Sequence, residues 1–167
     1  MFTSIESFEK VWQLELKNTL KIFSALTDDS LNKKVADDHR TLGRMAWHIA
    51  QSIPEMANRT GLKVEGAGEK DPAPTSAEQI RQAYDKAAKS LLEQVTGNWQ
   101  DETLKVVDEM YGEKWARGVT LHILIVHEIH HRGQMTVLMR QAGLKVAGIY
   151  GPAKEEWTQY GMPEPEV

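Results

Sequence analysis

Between Ala116 and Gln141 the chain reads ARGVTLHILIVHEIHHRGQMTVLMRQ. From Val119 to Ile129 this stretch is apolar on nearly every side of a helix, apart from His122, His127 and Glu128. A helix that is hydrophobic all round must be buried, and Gly143 just beyond it supplies the residue type that ends helices. The rest of the chain is therefore expected to wrap this helix.

Upstream, Ile5, Phe8, Val11, Trp12, Leu16, Leu20 and Phe23 recur at three and four residue spacing, which predicts an amphipathic helix from Ser4 to Leu26 capped by Thr3 or Ser4. A polar connection, Thr27 to Arg40, follows, with one helical turn around Leu31. A second helix is predicted from Thr41 to Arg59, with Pro54 kinking it or ending it early near Ile53. Gly61 to Thr75 is a long loop by composition, of the kind that lines a site or moves. Thr75 or Ser76 caps a third helix that stops at Gly97. Asn98 to Trp115 has no sustained period and reads as irregular, with Leu104 to Val107 briefly extended, and Lys154 to Tyr160 forms a short last helix. The expectation is an all-α helical bundle with a short additional C-terminal helix, in one domain covering residues 1–167.

Composition narrows the function. Cysteine is absent, which removes disulfides, thiolate zinc sites and a cysteine nucleophile. The net charge is −4 with basic residues scattered, a poor match to nucleic acid binding, which needs clustered cations to displace counterions. The N-terminus does not read as a signal peptide, and the strongly apolar run Ile123 to Val126 is too short to span a bilayer. A cytoplasmic protein that binds neither membrane nor nucleic acid is expected.

His127 and His131 lie one turn apart on the long helix, on a stripe with Thr120, Leu124, Gln134 and Leu138. Two imidazoles buried together need partners for their nitrogens, and a shared metal ion supplies them. His48, at the flank of the second helix's apolar face, is the best third ligand; by itself it reads as an ordinary core histidine, and the pair is what promotes it. His130 points about a third of a turn away, and His122 and His39 read as ordinary. His127-Glu128-Ile129-His130-His131 also satisfies the H-E-x-x-H pattern of zinc peptidases, with Glu128 as base, but Gln134 stands where the longer motif requires glycine.

The segment His127-Glu128-Ile129-His130-His131-Arg132-Gly133-Gln134, with the upstream Trp47-His48-Ile49-Ala50, resembles the DinB-like superfamily over nearly the whole chain. That resemblance implies a four-helix bundle, usually a homodimer, binding nickel or zinc through His48, His127 and His131. It also implies, for some relatives, transfer or isomerisation chemistry on a small-molecule substrate with a low-molecular-weight thiol such as bacillithiol or mycothiol. A metal-dependent hydrolase, or a non-catalytic stress-response protein stapled by its metal, are the alternatives. No catalytic residue is assigned. Glu128, Arg132 and Gln134 are candidates to brace the ligands or move protons, and Arg132 to attract an anionic thiol; their plainer readings are solvated charge for the first two and an interhelical or capping hydrogen bond for Gln134. Gly133 is read as permitting close helix approach.

Overall fold

A computed structural model describes residues 1–166. Four long helices carry the architecture: α1 (Ile5–Phe23), α2 (Leu42–Asn58), α3 (Ala77–Asn98) and α4 (Arg117–Gln141). Each of the first three begins where a hydroxyl can satisfy an orphan backbone N–H. Ser4, Thr41 and Ser76 accept from the amides of Ser7, Arg44 and Gln79. α2 packs on α3 and α4, and α1 packs on the same two helices. One continuous cluster of buried side chains fills the space between them, with Phe8, Trp12, Ile53, Tyr84, Leu91 and Met139 fully enclosed.

α2 neither ends nor is interrupted at Pro54, which lies within the helix and packs, with Ala87 of α3, against the loop at Gly66. Gly97 is likewise inside α3, whose last turn closes through the Trp99 amide on the Val95 carbonyl. The turn around Leu31 is a 3-10 segment, Asp29–Asn32, and a second such segment spans Lys154–Tyr160.

The all-α expectation needs one correction. After a 3-10 turn at Asp101–Lys105, the 98–115 segment forms a hairpin, β1 (Val107–Met110) antiparallel to β2 (Glu113–Ala116), with Asp108 opposite Trp115 and Met110 opposite Glu113. Its two-residue turn places Tyr111 at φ 54° and Gly112 at φ 84°, the left-handed pair that a tight hairpin of right-twisted strands requires. The hairpin is tied down at both ends. Arg117 grips Asp108 at 2.8 Å, and Arg59 stacks on the Tyr111 ring while the Tyr111 hydroxyl donates to Glu55 of α2. Four-residue strands with half their residues charged, joined by Tyr-Gly and not Asn-Gly, leave too little alternation to read from the chain alone.

Gly133 has open space where a Cβ would stand, so it does not serve close helix approach. Close approach of other backbone and side chains occurs instead at Gly43, whose Cβ would meet Leu31 at 2.9 Å, and at Gly118, whose Cβ would lie 2.2 Å from the Phe2 carbonyl oxygen. The Gly43 contact presses the 27–40 connection onto α2, which carries Arg40 to the start of that helix. Among the described residues, no helix is long and apolar enough to cross a membrane.

Candidate metal centre

α2 and α4 meet along the stripe that holds the histidines. His48 Nε2 lies 3.2 Å from His127 Nε2, and His131 Nε2 lies 3.1 Å from the same atom. All three rings offer a nitrogen within 4.8 Å of one another, and together they could hold a metal ion. Zinc–nitrogen bonds of about 2.0–2.1 Å in tetrahedral geometry separate two ligand nitrogens by roughly 3.3 Å. The observed spacings fit that arrangement with little adjustment.

The hydrogen-bond balance of the cluster points the same way. His131 Nδ1 sits 2.8 Å from Gln134 Oε1, an acceptor, so Nδ1 carries the proton and Nε2 turns its lone pair inward. His127 Nε2 then faces two ring nitrogens and can bond to only one. If it donates to His131, it has no lone pair for His48; if it accepts from His48, two lone pairs oppose each other at 3.1 Å. In the second case its proton moves to Nδ1, which is buried without a partner. A cation accepting all three lone pairs removes the opposition between them, with the His127 proton on Nδ1 as in the second case, and the donor set suits zinc, nickel, iron or copper.

The rings are also held neutral, as metal ligation demands. Burial pushes His48 down to about 4, helped by the charges of Arg40, the other two histidines and Arg44. Burial likewise lowers His127 to about 4, followed by His131, His130 and Arg40. His131 is lowered by burial first, against the raising effect of its bond to Gln134.

The cluster opens onto a cavity of about 530 Å³ walled by His48 and His127 with Arg40, Arg44, Glu55 and Tyr111. A second cavity of about the same size borders His131 and Gln134 and has Val35, Met45 and Leu138 on its wall. Glu69 of the 61–75 loop lies on the wall of the first. Buried Gln51 donates to the carbonyls of Gly68, Glu69 and Asp71, and Trp47 Nε1 donates to Asp71 as well.

The other residues singled out from the sequence separate into two groups. Gln134, though exposed, stands at the cluster, bonded to His131 and, at 3.1 Å, to exposed His130. Glu128 and Arg132 are buried, not solvated, and their hydrogen bonds lead away from it. Glu128 Oε1 accepts from Thr19 at 2.6 Å and Tyr84 at 2.8 Å, and burial raises its carboxyl to about 7 against the lowering effects of those bonds and of Arg132. Arg132 donates to Glu15 at 2.6 Å, Tyr150 at 2.7 Å and Thr19 at 2.8 Å. An H-E-x-x-H base would have to face the ion, and this glutamate faces α1 and α3. His122 packs its ring on Phe2, and His39 pairs with Asp38 at the surface. Arg40, Arg44, Gln51, Glu55, Tyr111 and Trp115 were not singled out, because each reads in sequence as ordinary surface or loop chemistry.

With the geometry in place, comparison with known proteins adds kinship. A family model described as the DinB family matches residues 1–166. The chain is 42% identical over 167 residues to the uncharacterized protein YrdA of Bacillus subtilis strain 168, covering 100% of both. It is 23% identical over 127 residues to YjoA of the same organism, covering 75% of this chain and 82% of that one. A crystal structure of a DinB-like protein from Bacillus cereus ATCC 10987 superposes with a TM-score of 0.87 at 44% identity, over 90% of this chain and 100% of the other. That of the DinB-like protein YjoA gives 0.68 at 21% identity, over 87% and 98%, and speaks to the fold alone.

Proposed function

Because the chain belongs to the DinB family, we propose that it is a metal-dependent transferase that joins a low-molecular-weight thiol to a small electrophile at the His48, His127 and His131 centre. The observation that carries the reading is the convergence of three neutral imidazole nitrogens on the wall of a cavity large enough for a small molecule. Three protein ligands leave a coordination position open, as catalytic sites do, whereas a purely structural site is closed by a fourth. Nickel or zinc is the ion we favour, in a cytoplasmic four-helix-bundle homodimer of one domain per chain, acting on small molecules and not on nucleic acid or membrane.

When bound, a divalent ion supplies the Lewis acidity that takes the proton from a thiol at neutral pH and orients its sulfur. The protein's own residues do the rest. Gln134 fixes the His131 tautomer so that Nε2 faces the centre. Gln51 anchors the 68–71 part of the loop beside the cavity. The reaction balances as thiol plus electrophile giving thioether, with the proton of the S–H group leaving on the displaced group as its acid. The chain's lack of cysteine fits a nucleophilic sulfur that comes from outside.

The test is thiol consumption. Metal-loaded protein incubated with bacillithiol, mycothiol, glutathione or cysteine and a chloronitroaromatic electrophile is expected to form thioether, and the His127→Ala variant to form none above background. If no thiol supports metal-dependent product, the transferase reading fails. A metal that raises the melting temperature without any such reaction would then be a structural staple.

A further inference from the structure

The charge around the centre identifies the kind of molecule that enters it, an inference that rests on the metal reading above and deepens it. Three imidazoles bring no negative charge, so a divalent ion held by them keeps its full charge, and the surroundings add to it. Arg40 and Arg44 stand on the same cavity wall as His48. Among the described residues, neither lies within ion-pair distance of a carboxylate.

Their placement is specific. Arg40 directly precedes Thr41, the cap of α2, and borders both cavities that flank the cluster. Arg44 is held from behind. Its Nη1 donates to Gln51 Oε1 at 3.0 Å, while the Gln51 amide nitrogen is committed to loop carbonyls. A neutral amide positions a guanidinium without cancelling its charge. Of the acidic residues on the wall, Glu55 is already engaged by Arg59 and by the Tyr111 hydroxyl, and Glu69 is exposed. Tyr111 and Trp115 also line the cavity.

We infer that the cavity of about 530 Å³ takes an anionic small molecule, its donor atom at the ion and its carboxylate or other oxyanion bound by Arg40 and Arg44. Tyr111 and Trp115 wall the less polar part of the ligand. The role of attracting an anion, expected from the sequence at Arg132, thus passes to two arginines on the other side of the histidines, since Arg132 is occupied by Glu15 in the interior.

Cobalt(II)-loaded protein provides the test, because its visible bands report any ligand that enters the coordination sphere. The probes are 3-mercaptopropionate and 2-mercaptoethanol, a matched anionic and neutral thiol, together with succinate and inorganic phosphate, followed by calorimetry. The anionic thiol is expected to bind at least about tenfold tighter than the neutral one, the scale of one charge-assisted contact. That advantage is expected to fall to near parity in Arg40→Gln combined with Arg44→Gln, at unaltered cobalt stoichiometry. Exposed Arg40→Gln alone gives the intermediate result should the double variant fold poorly. Equal affinity for the two thiols, or an advantage that survives the substitutions, overturns the inference and leaves the thiol reaction standing. If neither thiol perturbs cobalt but succinate or phosphate binds and weakens in the variants, the transferase reading fails and the anion site stands. The stronger of those two ligands then identifies the oxyanion. Absence of all binding overturns the inference.

Discussion

Replacing Arg132 by methionine isolates the energetics of the buried cluster behind the three histidines. The Arg132 and Glu15 side chains are 3% and 4% exposed and lie 2.6 Å apart, so water cannot take over either charge. Methionine retains the aliphatic bulk and removes only the guanidinium. Glu15 then keeps one strong donor, the Tyr150 hydroxyl at 2.8 Å, and no cation. An uncompensated buried charge of this kind costs about 3–5 kcal/mol. We expect destabilisation of about 3–4 kcal/mol at pH 7, or roughly 6–16 °C in melting temperature for a domain of this size. Urea unfolding followed by circular dichroism reads the loss. Glu15→Gln combined with Arg132→Met should recover more than half of the loss, since it removes both charges together. A loss below about 1 kcal/mol at pH 7, the range of an exposed ion pair, refutes the reasoning.

Gln134→Leu removes the acceptor that fixes the His131 tautomer and should weaken zinc binding by about 10–100-fold in a competition with a chromophoric chelator, with little change in the stability of the metal-free protein. Gly118→Ala should destabilise the fold, because the new methyl would lie 2.2 Å from the Phe2 carbonyl oxygen and must displace the N-terminal segment. Gly133→Ala, at an exposed helical position with nothing nearby, should instead stabilise it by roughly 0.5–1 kcal/mol; thermal melts of the two variants give opposite signs if these contacts are as described. Three tyrosines titrate late: burial raises Tyr84 well above the ordinary phenol, burial and then the Glu55 hydrogen bond raise Tyr111, and burial with the Glu15 bond pushes Tyr150 up to about 12. The folded chain therefore keeps protons that the unfolded chain releases from about pH 10, so stability falls as pH rises from there toward 12. Absorbance at 295 nm should accordingly show far less phenolate at pH 11 in folded than in urea-unfolded protein.

The four helices and the three histidines were legible because their signals are local. Apolar spacing along α1 to α3 reports one buried face per helix, and serine or threonine before each run marks where it starts; α4, apolar on nearly every side, is not buried all round as its composition led one to expect, since Val126 and Val137 are exposed. His127 and His131 share a face by the geometry of a single turn, and His48 stands on the one other helix with a histidine beside its apolar stripe. Tertiary structure alone decided the rest. Glu128 and Arg132 read as solvated charges until α1 brings Glu15 and Thr19 against them from more than a hundred residues away. The hairpin escaped notice because its pairing is satisfied by four residues a side and by a tyrosine held left-handed through a contact with α2. Arg40 and Arg44 acquire meaning only where the packing of the 27–40 connection and the clamp at Gln51 turn them toward the histidines. Periodicity records which face of an element leaves water, while the identity of what it meets there is fixed by the folded path of the whole chain.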